Sequence, residues 1–352
     1  MNPADPDSFS HRTERLSTGR TYHFVDQLPT NYDVSRPTLL CLHGFPDLWY
    51  GWRHQIGPWT RKGYRVIVPD MLGYGQTDMP SDAAAYSTKK LCDDLAALLD
   101  LVNIPKAVVI GHDWGSFAAG RFALWYPARV LGLIMMSVPY TPPSIVHMPV
   151  ETMAERYANF GYQVYFADNT ATTEIESNLA TFFRLLFRKP NKTISWAKMG
   201  ELKALLTRKQ NTNLTNGCLL TDEQLDYYVS QYSRGILGPL SYYRTTKIRY
   251  EEEKGKSTFT YRLNPPIFFR LPAGALPTVL GAKLPVLCLY GTEDETCPPS
   301  SLRNAHKFIP QLQDVALDGA GHWILLEAKD IVTEETSQWV DSLLRSYRTN
   351  RL

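Results

Sequence analysis

The stretch that most constrains this chain is residues 108–115, V-V-I-G-H-D-W-G. The apolar run of residues 107–110 stops at Gly111, Asp113 stands between glycines at i−2 and i+2, and a small-and-apolar segment, 116–126, follows. This is the pattern of a buried strand, a sharp turn and a helix, in which the flanking glycines let the backbone pass closely and one side chain is lifted clear of the sheet. Most chains with such an elbow carry serine at the centre; here it is a carboxylate. A carboxylate is already charged at pH 7 and needs no base to act as a nucleophile.

An elbow of this kind needs a parallel sheet around it, and the chain supplies one. Residues 21–26 read as an early edge strand. Residues 38–42 are a short buried strand running into His43-Gly44-Phe45-Pro46. Residues 52–59 suit a short helix, and 64–68 a strand ending at Pro69-Asp70, with a loop through Gly73 and Gly75. Ser87 can cap a helix whose apolar stripe is Leu91, Leu95, Leu98 and Val102. The elbow strand and helix come next, then a strand at 131–138. Strand alternating with helix predicts an α/β sheet whose crevice lies at the carboxyl ends of its strands.

At Pro139 that rhythm breaks. Residues 140–149 are proline-rich, and 173–187, 195–207 and 221–232 carry helical patterns without buried strands between them. Thr221 and Gln224 form a capping box at the start of the last. Buried strands resume at 286–290 and 315–317, and a closing helix at 329–347 packs through Val332, Trp339, Val340, Leu343 and Leu344. At ~150 residues per domain, 352 residues suit one core (1–138 and 284–352) split by a helical lid and a following excursion (139–283). The excursion at 250–283 carries a charge run and four prolines, Pro265, Pro266, Pro272 and Pro277.

Composition removes several function classes. With 37 basic and 35 acidic residues there is no field to gather nucleic acid or an anionic membrane. Arg184, Arg188, Lys189 and Lys192 read as a solvated basic face. Five cysteines without pairing or ligand spacing suit a reducing compartment, and no apolar run is long enough to span a bilayer. The polar N-terminus lacks a secretory leader, so a cytoplasmic protein is expected, and Asn350-Arg351-Leu352 loosely resembles the peroxisomal tripeptide. No H-E-x-x-H, clustered histidines or phosphate-cradling loop is present, so neither metal nor cofactor is expected.

Three residues then fall just after predicted strands, in the order nucleophile, acid, histidine: Asp113, Asp294 and His322. Glu293 is the rival for the acid, and register favours Asp294. The turn after the 38–42 strand offers a backbone N–H, from Phe45, that can pair with that of Trp114 as an oxyanion hole.

The motifs H-G-F-P at 43–46, G-Y-G-Q-T-D at 73–78, G-H-D-W-G at 111–115 and G-A-G-H-W at 319–323 resemble those of the soluble epoxide hydrolases of the α/β-hydrolase superfamily. The resemblance covers nearly the whole chain and implies the α/β-hydrolase fold with an inserted helical lid. Haloalkane and haloacid dehalogenases share those core motifs; the lid separates the families. F-G-Y-Q-V-Y-F at 160–166 resembles the context of one lid tyrosine, placing it at Tyr162, and G-P-L-S-Y-Y-R at 238–244 resembles the other, placing it at Tyr243. Tyr165 and Tyr242 are their near neighbours. Phe45 stands where haloalkane dehalogenases resemble one another in carrying Asn. Trp114 stands where haloacid dehalogenases resemble one another in carrying Arg.

The resemblance therefore implies an epoxide hydrolase in which Asp113 forms an ester with an oxirane carbon while Tyr162 and Tyr243 protonate the oxygen. His322, oriented by Asp294, then activates the water that releases the diol. Pro46 and Trp323 are expected in the pocket wall. The expected partners are a small hydrophobic epoxide and water, with the chain a monomer or homodimer. A dehalogenase, an epoxide-opening cyclase and a non-catalytic binder of a small ligand are the alternatives.

Overall fold

The computed structural model describes residues 1–191, 194–207, 214–255 and 275–349. The tripeptide Asn350-Arg351-Leu352, Lys192 and the middle of the 250–283 excursion lie outside the described residues. The strands are β1 (His11–Arg15), β2 (Thr21–Gln27), β3 (Thr38–Leu42), β4 (Arg65–Pro69), β5 (Ala107–His112), β6 (Val130–Met136), β7 (Val286–Gly291) and β8 (Leu312–Leu317). They form one 8-stranded sheet in the order β1-β2-β4-β3-β5-β6-β7-β8. β1 and β2 pair antiparallel, as do β2 and β4, and every later pairing is parallel.

β3, β4 and β5 are buried along their whole length. Their continuous apolar character follows, because a parallel strand covered on both faces has no solvent side to show. The cover comes from α1 (Arg53–Arg61), α2 (Thr88–Leu101) and α3 (Trp114–Trp125). Ser87 caps α2, its hydroxyl accepting from the Lys90 amide, and Leu91, Leu95, Leu98 and Val102 are all buried. Between β6 and β7 run α4 (Val150–Arg156), α5 (Gly161–Ala167), α6 (Thr170–Glu176), α7 (Leu179–Leu186), α8 (Glu201–Thr207), α9 (Asp222–Gln231), α10 (Leu237–Ser241) and α11 (Thr246–Glu253). The chain closes with α12 (Ile324–Glu327) and α13 (Lys329–Thr349).

The α4–α11 segment is tied to the sheet's carboxyl edge by tyrosines. Tyr228 donates to Asp47 (2.6 Å), Tyr232 to the Pro46 carbonyl (2.9 Å) and Tyr242 to the Leu72 carbonyl (3.0 Å). All three acceptors lie in loops after β3 or β4. Burial, opposed by the Tyr228 hydroxyl, pushes the Asp47 carboxyl up to about 6.

Several sequence expectations are corrected. The 21–26 strand is not the edge: β1 is, and its exposed and half-exposed residues, H-R-T-E-R, show no apolar alternation to find. The 173–187 helix is two, α6 and α7, parted at Ser177-Asn178, and the 195–207 helix starts only at Glu201. β8 begins at Leu312 and, as the far edge, buries only Leu317. Helices α4, α5, α10 and α11 were not predicted as helices; at five to eight residues each, none repeats an apolar stripe often enough to read. Arg188 is no part of a solvated face. It is buried and donates to the carbonyls of Arg184 (3.2 Å) and Asn216 (2.9 Å).

The elbow itself rests on a backbone approach only glycine allows. A Cβ on Gly111 would lie 2.2 Å from the Gly115 carbonyl oxygen and 2.5 Å from Ser116 Cα, atoms of the α3 backbone that cannot step aside. Gly111→Ala is expected to destabilise the fold by more than about 3 kcal/mol, read as a lower urea midpoint.

Candidate active site

Four parallel strands end on the same side of the sheet, and the turns after them converge. Asp113 follows β5 and begins α3, with φ 53° and ψ −121°, outside the regions that L-residues normally occupy. Such strain is expected where a strand must turn at once into a helix and present a side chain upward. Phe45 follows β3, the sheet neighbour of β5, and its amide donates to Asp113 Oδ1 at 2.7 Å. Gly44 makes that approach possible: a Cβ there would lie 2.3 Å from Asp113 Oδ1 and 2.7 Å from the Trp114 amide nitrogen. The Phe45 and Trp114 amides therefore border one small space beside the carboxylate.

His322 lies beyond β8, with Nε2 3.6 Å from Asp113 Oδ2 and Nδ1 2.8 Å from Asp294 Oδ2. Asp294 is buried and Glu293 beside it is exposed. Burial raises Asp294, but His322, Thr296 and the Cys297 amide outweigh it and hold the carboxyl below its ordinary range. Burial lowers His322, and again the partners win: Asp294 first, then Asp113, hold the imidazole up at about 10. At neutral pH His322 is thus an imidazolium between two carboxylates. His112 is drawn down to about 4 by burial and by His322, and its Nε2–H donates to the His322 carbonyl (2.9 Å), joined there by Ser137 Oγ (2.7 Å).

Above Asp113 lies a narrow cavity whose wall includes Phe45, Tyr162, Phe166, Trp196, Tyr243 and Trp323. Tyr162 comes from α5, and Tyr243 from the turn after α10. Their rings stand edge to face, 6.3 Å between centroids. Burial pushes both phenols well above their ordinary range, with the Asp113 charge acting in the same direction, so both keep their protons. The Tyr162 hydroxyl accepts from Gln163 (3.3 Å), and the Tyr243 ring stands edge to face with that of Trp114, 5.2 Å between centroids. Among the described hydrogen bonds neither phenol donates to a protein acceptor. The neighbours are occupied elsewhere: Tyr165 donates to Glu174 (2.9 Å) and Tyr242 to the Leu72 carbonyl.

The alpha/beta hydrolase fold family matches residues 37–329, from β3 to the start of α13. The chain belongs to the α/β-hydrolase fold family. This α/β-hydrolase is similar to the bifunctional epoxide hydrolase 2 of Mus musculus, 30% identical over 348 residues, 97% of this chain and 57% of the relative. It is 29% identical to an epoxide hydrolase of Neurospora crassa, over 98% of each chain. A solved epoxide hydrolase of Vigna radiata superposes with a TM-score of 0.74 at 25% identity, covering 96% of this chain and 99% of that one. Epoxide hydrolase A of Mycobacterium thermoresistibile gives 0.72 at 28% identity, covering 96% and 98%. The chain spans little more than half the length of the mammalian relatives it matches.

Of the residues singled out from the sequence, Asp113, His322, Asp294, Tyr162, Tyr243, Phe45, Trp114 and Trp323 meet around this one cavity or its immediate support. Pro46 does not: among the described residues lining the cavity it is absent, and its carbonyl instead takes the Tyr232 hydroxyl. Sequence reasoning missed Phe166, Trp196, Leu186 and Thr296. Phe166 had a signal, since it stands four residues after Tyr162 and so on the same face of one helical turn. Trp196 had none, because it lies between α7 and α8 and meets the Tyr162 ring, 5.2 Å between centroids, only through tertiary packing. No helix among the described residues is long and apolar enough to cross a membrane.

Proposed function

We propose that this α/β-hydrolase is an epoxide hydrolase that works through a covalent aspartyl ester, with residues 139–283 as the lid over a core formed by 1–138 and 284–352. The observation that carries this reading is the pair of protonated phenols, Tyr162 and Tyr243, held across a cavity from a buried carboxylate at a nucleophile elbow. An epoxide is neutral and strained, and opening it puts negative charge on its oxygen. Two buried phenols that keep their own protons are suited to receive that charge. A departing halide asks for indole or amide donors instead. Here the Trp323 indole N–H is committed to the Leu186 carbonyl (2.6 Å).

In the first half-reaction Asp113 Oδ2 attacks an oxirane carbon, the C–O bond breaks, and a phenol transfers its proton to the leaving oxygen. In the second, water attacks the ester carbonyl carbon. His322 takes the water's proton, Asp294 holds the imidazolium, and the oxyanion at Oδ1 rests on the Phe45 amide with the Trp114 amide beside it. The adduct then collapses, the bond from the carboxyl carbon to the substrate oxygen breaks, and His322 returns its proton to that oxygen as the diol leaves. The proton left on the Asp113 carboxyl balances the one the phenol gave up. The charge balance orders the two steps. While Asp113 is an anion it helps hold His322 protonated; esterification removes that charge, and the imidazole falls toward a value at which it can act as a base.

Turnover of a simple aryl epoxide, run beside chloroalkanes, tests the assignment: diol from the epoxide and no halide from the chloroalkanes is expected, and the reverse contradicts it. Tyr243→Phe is expected to slow ester formation on the order of 10²–10⁴-fold, with Tyr162 softening the loss, and to leave ester hydrolysis unchanged. Tyr242→Phe, which removes a hydrogen bond to the Leu72 carbonyl, is expected to cost about 1 kcal/mol of stability and to leave the chemistry largely intact. Pre-steady-state kinetics of the two variants separates the roles.

A further inference from the structure

Thr296 follows Asp294 by two residues and is buried. Its amide donates to Asp294 Oδ1 at 2.8 Å, and its hydroxyl donates to the same oxygen at 2.7 Å. The hydroxyl oxygen also stands 3.0 Å from His322 Nδ1. A threonine hydroxyl has one proton, and giving it to Oδ1 leaves its lone pairs toward Nδ1. The Nδ1–H is therefore shared between Asp294 Oδ2, 2.8 Å away, and Thr296 Oγ1. The two carboxylate oxygens are divided in function. Oδ1 takes the Thr296 amide, the Thr296 hydroxyl and the Cys297 amide (3.1 Å), while Oδ2 takes the base.

We infer that Thr296 is a positioning residue of the base: its hydroxyl fixes the His322 ring and weakens the hold of Asp294 on the Nδ1 proton. The inference rests on the reading of His322 as the base of an ester-forming epoxide hydrolase. Each donor on Oδ1 draws charge from the carboxylate, so less is left to retain a proton on the imidazole. The charged and titratable groups around His322 are few enough to assign. Asp294 faces Nδ1, Asp113 faces Nε2, and His112 lies beside the ring with centroids 5.0 Å apart. Glu327 accepts from the Gly321 and Trp323 amides on either side of it. Once Asp113 is esterified its charge is gone, and Asp294 as tempered by Thr296 is the dominant control on the base.

Thr296→Val removes the hydroxyl and keeps the shape; Thr296→Ser restores the hydroxyl. Two measurements apply to each variant. One is the ¹⁵N titration of His322 in an Asp113→Ala background, a charge-free stand-in for the ester that needs no substrate. The other is decay of the ester in single turnover with a simple aryl epoxide. In Thr296→Val the His322 titration is expected to move up by about one pH unit, and ester decay to slow about tenfold at neutral pH with its pH profile displaced upward equally. Thr296→Ser recovers both values. A His322 titration unchanged in Thr296→Val, or displaced equally in Thr296→Ser, overturns the inference. An enzyme that forms no ester contradicts the functional reading instead, and the titration still decides the role of Thr296.

Discussion

Asp113→Ala is expected to lower epoxide turnover on the order of 10⁴-fold or more while the protein stays folded, because without that carboxylate no ester can form. The structural cost of the substitution is bounded by what the side chain touches. It accepts one amide, from Phe45, and faces His322 across 3.6 Å. Leaving the Phe45 N–H unpaired costs about 1–3 kcal/mol, offset in part by the removal of a buried carboxylate. A shift of a few degrees in Tm with no turnover is the expected outcome. Wild-type turnover in a folded Asp113→Ala protein contradicts the mechanism outright.

His322→Gln separates the half-reactions. The Asp113 carboxylate is nucleophilic without the imidazole, whereas water at neutral pH is not, so the variant should open one equivalent of epoxide and then stall. Hydrolysis of the ester is expected to slow at least on the order of 10²–10⁴-fold, the usual worth of a positioned base. Intact-protein mass spectrometry should show a stoichiometric gain of the substrate's mass, on a peptide containing Asp113. A serine nucleophile would lose both steps with its histidine, because it depends on that base. The wild type adds a pH test. Ester decay should rise with pH through the titration of His322 in the ester. That midpoint should lie below about 10, the resting value, because the Asp113 charge that helped raise it has gone. Ester formation should show no such dependence.

The parts of this account legible in the sequence are those set by local physics. β5 is buried on both faces, so its apolar run and abrupt glycine mark the elbow directly. Asp113, Asp294 and His322 could be found because parallel strands end on one side of the sheet, which makes wide separation in sequence irrelevant. The α4–α11 insertion was legible as an interruption and not as a structure. Its helices are short, and what holds them is tertiary: Tyr228, Tyr232 and Tyr242 each reach a core loop far away in sequence. Tyr243 was assigned from its sequence context, and the reason it rather than Tyr242 faces Asp113 is visible only once Tyr242 is seen bound to Leu72. Thr296 illustrates the remainder. Its neighbour Asp294 marks the loop, but a hydroxyl between a carboxylate and an imidazole is a fact about two loops meeting.

The claim beneath all of this is that Asp113, and not water, attacks the epoxide. Single turnover of excess wild-type enzyme in ¹⁸O-water tests it directly. In the ester route the oxygen added to the substrate comes from Asp113, so the first diol carries no label, and the ¹⁸O appears in the Asp113 carboxylate. Direct attack by water predicts ¹⁸O in that first diol and none in Asp113, and that result would contradict the ester mechanism.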